Sequence, residues 1–399
     1  MPDSSDSSRR ATPPLLKHLN ERKVLDMLRA HAPISRAEIS RRAGISKPTV
    51  SLALQSLLDA GLAREADHDP GRPSYGAIFF EPVPDAALVL GLDLGARFLR
   101  GAVCDLRGEI RARHDVELAP PAADAALAAI VGLRASLVAA AGTTDDLIDS
   151  VVLGVPGVVD AETGRIDMTS MPGLEGRAFG TDVEQALGTT VSVENDIALA
   201  ALGEHWRGVA QGVDDFVFLS VGTGLGAGLV LRGELHRGRH GAAGELDLVS
   251  AGVGLDIDPC AEAISRLARD VATGDGSPTL VPPYDPPAVF ATARAGDRLA
   301  RSVVHEVARR IALHVVPVGA VADVALVVLG GGIGMNGDVL LEPIRRLLRE
   351  WLPYPPRVEV SSLGDAAVLT GALAVGRRSA LDNVFLERTA SRAAGGSGR

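Results

Sequence analysis

Between residues 34 and 61 the chain reads ISRAEISRRAGISKPTVSLALQSLLDAG. Ser46, Lys47, Thr49 and Ser51 crowd little more than one turn of it. Small hydroxyls can hydrogen-bond phosphates or base edges, and a lysine ammonium can hold a phosphate or a guanine. Arg36, Arg41 and Arg42 stand just upstream, where they could grip a phosphate backbone. Arg72, between Gly71 and Pro73, is placed to enter a minor groove. The chemistry is recognition of DNA rather than bond making. A small helical bundle with solvated charges is the plainer alternative.

These residues need a frame. Leu15, Leu16, Leu19, Val24, Leu25 and Leu28 recur at helical spacing, which predicts a helix from Leu15 to about His31, stopped by Pro33. Ser35 with Glu38 three residues on makes a capping box for a second helix ending at Ala43, and Gly44 breaks it. Ser46 caps a third helix, with Pro48 in its first turn and Gly61 at its end. Val50, Leu54 and Leu57 form its buried stripe. Helix, glycine turn and helix is the arrangement that lays a recognition helix across a surface. Residues 62–80 predict two short strands around Pro70-Gly71-Arg72-Pro73, a wing, with Pro82 and Pro84 marking a linker. The polar residues 1–14 predict a disordered tail, and residues 15–81 a winged helix-turn-helix domain.

From Leu88 onward the texture changes. LVLGLDLG, RGAVCDLRGEI, VVLGVPGVVD, DDFVFLSVGTG and DVALVVLGGGIG are apolar strands, most running into glycine loops, with helical stretches between them. That alternation predicts an α/β body whose ligands bind at the carboxyl ends of the strands. The Ala- and Gly-rich residues 379–399 show no pattern and read as a tail.

The 399 residues suffice for two or three domains, and 46% hydrophobic content supports a core. No unbroken apolar run reaches the roughly 18–20 residues a membrane span needs, and no secretory signal opens the chain. Two cysteines, Cys104 and Cys260, make no disulfide framework and no complete metal cluster, so a reducing cytoplasm is expected. Residues 1–80 hold 12 Lys/Arg against 9 Asp/Glu on a chain of net charge −10. A mildly basic head on an acidic body suits docking on DNA at one end, although chance surface variation explains that number equally well.

Seven stretches in order carry a resemblance: GLDLG at 91–95, GVPGVVD at 154–160, VENDIALAALGEH at 193–205, GTGLGAG at 222–228, HGAAGE at 240–245, VVLGGGIGMNGDVLLEPIRRLL at 327–348 and LGDAAVLTGA at 363–372. In these the chain resembles the ROK family (repressor, open reading frame, kinase), and with its head the transcriptional-regulator branch of that family. The resemblance implies a two-lobed actin-like, ribonuclease H-like sugar-kinase fold over residues 88–378, with the second lobe at about 206–362. It assigns Asp196 as the catalytic base of a kinase, Asn195 as a sugar contact, and Glu245 and Glu262 as further carboxylates on sugar hydroxyls. Read from the residues alone, Asp196 is a helix N-cap, a role compatible with the first. The resemblance also assigns Asp93 and Gly95 to a first phosphate loop, Gly222, Thr223 and Gly224 to a second, and Gly331 and Gly332 to the adenosine side.

The departures from the family pattern matter as much. Ala96-Arg97 replaces a Gly-Thr pair, which implies absent or vestigial ATP turnover. Leu248, Val253 and Leu255 fall where zinc ligands belong, so only Cys260 remains of that site and no structural zinc is expected. Asp247 is a candidate replacement for the lost polar sugar contact, and Ser170-Met171-Pro172-Gly173-Leu174 departs from the family's sugar loop. The expectation is a sugar-responsive transcriptional regulator, a repressor, that binds an inverted-repeat operator as a homodimer or higher homo-oligomer and uses no cofactor. Two alternatives stand beside it. One is an ATP- and Mg-dependent sugar kinase regulated by its head, and the other is a constitutive DNA-binding protein whose body only dimerises.

Overall fold

The computed structural model describes residues 13–66, 77–249, 256–275 and 280–395, with side chains at 16–66, 77–249, 256–273 and 280–386. The head opens with α1 (Pro13–His31), then β1 (Ile34–Ser35), α2 (Arg36–Ala43), α3 (Lys47–Asp59), β2 (Ala63–Glu65) and β3 (Phe79–Pro82). The Ser35 hydroxyl accepts from the Glu38 amide, and Gly44 ends α2 at φ 65, as the capping box and glycine stop require. β3 lies between β1 and β2 in one antiparallel sheet, which is the base of the wing. The wing tip, with Arg72, lies outside the described residues.

The body repeats one sheet topology. Strands β4 (Leu88–Leu94), β5 (Phe98–Asp105) and β6 (Ile110–Glu117) form an antiparallel meander. β7 (Ile148–Val155) then joins β4 in parallel, and β10 (Val191–Asn195) joins β7. Between them come α4 (Ala123–Ala140), β8 (Val158–Val159), β9 (Ile166–Asp167) and α5 (Phe179–Leu187). After α6 (Asp196–Arg207) the same order returns: β11 (Phe216–Val221), β12 (Leu225–Leu231) and β13 (Glu234–His236) run antiparallel. β14 (Leu326–Gly330) and β15 (Arg357–Val360) then add in parallel on the other side of β11. α7 (Ala261–Asp275), α8 (Pro286–Arg294), α9 (Arg298–Ala322), α10 (Gly331–Gly334), α11 (Gly337–Trp351) and α12 (Ala367–Gly395) complete the chain. Every residue of β4 is buried, so the strand is covered on both faces and its near-continuous apolar run follows. β6, at the sheet edge, is mostly exposed and carries Arg111, Arg113, Asp115 and Glu117, charges that discourage edge pairing.

Two expectations are corrected. Residues 379–395 are not a patternless tail, because α12 continues to Gly395 and buries Ala380, Val384 and Phe385; residues 396–399 lie outside the described residues. The segment at Pro82 and Pro84 is not a free linker. Pro84, Ala86 and Ala87 are buried, and Val24, Leu25 and Leu28 of the head share one apolar cluster with Val89, Leu106 and Leu373 of the body. By length and composition α4 qualifies as a membrane span, with a mean hydropathy of 1.6 over 18 residues. It is instead a core helix, since Ala126, Ile130, Leu133 and Leu137 are buried against the first sheet. Arg134 on α4 pairs with Asp145 at 2.9 Å.

α6 and α12 cross between the two sheets almost backbone to backbone. A Cβ at Gly203 would overlap the Ala367 carbonyl, and one at Gly371 would overlap the Leu199 carbonyl. Only glycine permits that approach at these two points.

Candidate functional site: a DNA-reading head and an interlobe cleft

Of the expected DNA contacts, Ser46, Lys47 and Ser51 lie exposed at the start of α3, with Thr49 half-buried among them. Ser46 is its N-cap, and its hydroxyl accepts from the Thr49 amide at 3.3 Å while lying 2.8 Å from the Thr49 hydroxyl. Both hydroxyls therefore hold the helix start as well as facing outward. Lys47 and Ser51 are exposed, and Val50, Leu54 and Leu57 are fully buried, as the stripe predicts. Leu52, 75% exposed beside Ser51, was missed. Its position two residues from Val50, on the opposite helix face, was the available signal, and an apolar side chain there suits contact with a thymine methyl. Arg41 and Arg42 both ion-pair with Glu38, whose carboxyl their hydrogen bonds hold below its ordinary range. Arg36 stacks on Phe80 at 5.2 Å from the ring centroid. None of the three reaches outward unengaged, so gripping DNA would require them to exchange partners.

The second site is a cleft of about 860 Å³ between the lobes. Asn195 and Asp196, Glu245 and Asp247, Gly222, Thr223 and Gly224, and Gly331 and Gly332 all line it. The elements explain why. β10 ends at Asn195, whose side-chain oxygen caps α6 by accepting from the Ala198 amide at 2.8 Å. The Asn195 amide group donates to the Gly157 carbonyl at 2.9 Å, which ties it to the loop after β7. Asp196 is thus the first residue of α6, and Asn195, not Asp196, is the N-cap. Gly331 takes φ 74 after β14, where a Cβ would strike the Val221 carbonyl.

Three expected site residues stand apart. Glu262, in the first turn of α7, is exposed and does not line the cleft. Asp93 is buried at the end of β4, and Gly95 donates its amide to the Phe98 carbonyl; neither is among the cleft-lining residues. Arg97 does not crowd the first phosphate loop, because it is turned away to Glu117 at 2.9 Å. Arg100, which sequence reasoning missed, donates instead to Asp93 at 3.3 Å and lies 3.8 Å from Asp115 and 4.0 Å from Asp365. Those partners come from β4, β6 and the turn before α12, so no local spacing announces them.

Carboxylates set the electrostatics. Burial, then the charge of Asp93, pushes Asp196 up to about 7. Burial pushes Asp93 up to about 6 against the pull of Arg100. Glu245 is raised by burial and by Asp247, and Asp247 is raised by burial and by Asp258. Such a cluster accepts hydrogen bonds readily and suits a neutral polyhydroxyl ligand better than an anion. Ser170 of the departing loop, and Met168 just before it, line the cleft. Leu248 is exposed, Cys260 is buried, and Val253 and Leu255 lie outside the described residues. No group of three or more His, Cys, Asp or Glu side chains suited to a metal occurs among the described residues.

Known proteins match the chain in both parts. Residues 89–378 match the ROK family and residues 18–64 a winged helix-turn-helix DNA-binding family. A putative xylose repressor of Caldicellulosiruptor sp. is 25% identical over 90% of this chain and 96% of its own. A glucokinase of Streptomyces coelicolor is 28% identical over 73% of this chain and 98% of its own. A solved ROK family transcriptional regulator, a homologue of the E. coli MLC protein, superposes with a TM-score of 0.77 at 25% identity, covering 94% of this chain and 99% of that one. Head and body thus match together in relatives that cover nearly the whole chain, and the chain belongs to the ROK family.

Proposed function

We infer that the protein is a sugar-responsive, DNA-binding transcriptional regulator, a repressor whose body senses a small sugar or sugar derivative. One observation carries the reading: the cleft and the head are joined by two helices. α6 starts at the cleft with Asn195 and Asp196 and crosses α12 at Gly203 and Gly371. α12 then ends on α1, where Arg22 pairs with Asp382 and Arg29 donates to the Leu381 carbonyl at 3.2 Å. A ligand that favours one lobe closure moves α6 against α12 and so biases the head. It does so only through unequal affinity for the two states. The names of the full-length relatives, a xylose repressor and the regulator NagC of E. coli, support the same reading.

The operator is an inverted repeat bound by a homodimer, because one recognition helix reads too few base pairs for useful specificity. The place of action is the cytoplasm. A sugar kinase is the second reading, favoured by Asp196, whose raised value suits a general base, and by the Gly222–Thr223–Gly224 loop on the same cleft. Against it, phosphoryl transfer needs a carboxylate free to hold a metal ion, and Arg100 already covers Asp93.

The deciding experiment is a thermal-shift screen of the full chain against sugars and sugar phosphates, with and without ATP. A sugar that stabilises without ATP and releases operator DNA supports the regulator. Stabilisation that requires ATP, with turnover abolished in Asp196→Asn, moves the kinase reading ahead. No response to any ligand leaves a constitutive DNA-binding protein.

A further inference from the structure

A second cavity, of about 330 Å³, lies where head meets body, away from the interlobe cleft. Three guanidinium groups line it: Arg29 from α1, Arg107 from the turn after β5, and Arg377 from α12. Glu81 of β3 is the only carboxylate in the lining, and Leu25 and Leu62 give it an apolar wall. Glu81 is already engaged, because it accepts from Arg107 at 3.1 Å and from Arg64 at 2.7 Å. Arg29 donates to the Leu381 carbonyl at 3.2 Å and to Asp26 at 3.3 Å. Arg377 donates from Nε to the Leu106 carbonyl at 2.7 Å and stacks over Trp206 at 5.8 Å. Among the described residues its two Nη groups have no hydrogen-bond acceptor and no carboxylate within ion-pair distance.

Three cations face one lining carboxylate, which Arg107 shares with Arg64; Asp26 offsets part of the charge of Arg29 from outside the lining, and among the described residues the Nη groups of Arg377 are left without an anion. The protonation equilibria agree. Burial lowers Arg29 to about 10 against the pull of Asp26, with the charges of Arg22 and Arg377 adding to the fall. Burial lowers Arg377, Cys104 and Asp105 oppose it, and the charge of Arg207 adds to the fall. Like charges held together out of water against their own repulsion are stabilised by a counter-ion.

We propose that this junction is a binding site for a small phosphate monoester, held by Arg29, Arg107 and Arg377. A phosphoryl dianion offers three acceptor oxygens to planar guanidinium forks arriving from different directions. The apolar wall accommodates a short carbon chain, and the volume falls at the lower end of the roughly 300–1,000 Å³ usual for small-molecule pockets. The three arginines come from the head, the first-lobe meander and the last helix, and the connecting segment Pro82–Val83–Pro84 forms part of the wall. Occupancy therefore ties head to body, and ligand binding and head position are thermodynamically linked. The proposal does not rest on the sugar reading of the cleft.

The test is calorimetric titration of the full chain with inorganic phosphate, glycerol 3-phosphate and, as a dianion without phosphorus, malonate. Glycerol 3-phosphate is expected to bind one per chain and more tightly than malonate. Arg29→Gln and Arg107→Gln should each weaken it about tenfold, the effect of losing one charge-assisted contact. Arg107 is on the surface, so that variant keeps its fold even if Arg29→Gln does not. Thr223→Val, in the phosphate loop of the other cleft, should bind like the parent chain. The proposal is overturned if the parent chain takes up no phosphate compound, or if malonate binds equally well. It is also overturned if Thr223→Val abolishes binding while Arg107→Gln leaves it intact.

Discussion

Asp196 is where the chemistry of the cleft is most exposed to test. Its ordinary value of 3.8 rises to about 7 in the folded chain. Asp93 and Glu245 raise it alongside burial, while the amides at the start of α6 oppose them. A carboxyl raised in the native state binds a proton there that the unfolded chain has already lost. Its contribution to stability is therefore full below about pH 4 and declines as pH rises through about 7. Asp196→Asn cannot ionise and should stabilise the protein at pH 8 by about 1–2 kcal/mol, the side chain being only partly shielded from the cleft, with less than half that effect at pH 5 and little below pH 4. Thermal melts at both values check this, and a loss of stability at pH 8 would contradict the assigned burial. The helix that opens at Asp196 was legible in the sequence because an N-cap and an apolar periodic run are local signals, although the cap is Asn195 and not Asp196. The position of Arg100 on Asp93 was not, since it depends on how β4, β5 and β6 register.

α12 is the element whose role changed most. Its last turns look like an unstructured Ala- and Gly-rich tail, yet Ala380, Leu381, Val384 and Phe385 pack with Val24, Leu25 and Leu28 of the head. Phe385 also lies against His18 at 6.3 Å and Arg22 at 5.6 Å. Phe385→Ala should cost about 3 kcal/mol of stability, as for other buried aromatics truncated in a core. If α12 carries the signal, the same variant should also weaken the effect of a cleft ligand on operator binding. Denaturant unfolding and operator titration, each with and without ligand, separate the two effects. An unchanged midpoint would mean that this contact does not hold the head.

The whole molecule presents one small recognition helix, and its reach sets the operator. If the proposed homodimer reads two half-sites one or more helical turns apart, a 5-base-pair insertion between them puts the second half-site on the far face of the duplex. Affinity should then fall about a hundredfold toward non-specific binding, while a 10-base-pair insertion should be tolerated better. Fluorescence anisotropy at fixed salt measures both, and equal affinity for all three spacings would argue against a dimer reading two half-sites.

The sequence by itself determined the parts whose signals are local. Ser35, Gly44 and Ser46 specify the helix boundaries of the head, and Val50, Leu54 and Leu57 specify which face of α3 turns inward. The glycine loops after apolar strands specify where a cleft could form. Only the tertiary structure decided what those parts meet. It turned Glu262 out of the cleft and placed Arg100 rather than Arg97 at Asp93. It also packed the supposed linker and carried residue 382 to residue 22, 360 positions away. Caps, turns and periodicity act over a few residues and leave marks in spacing. Pairings between distant segments follow from sheet register and helix crossing, which no stretch of the chain encodes alone.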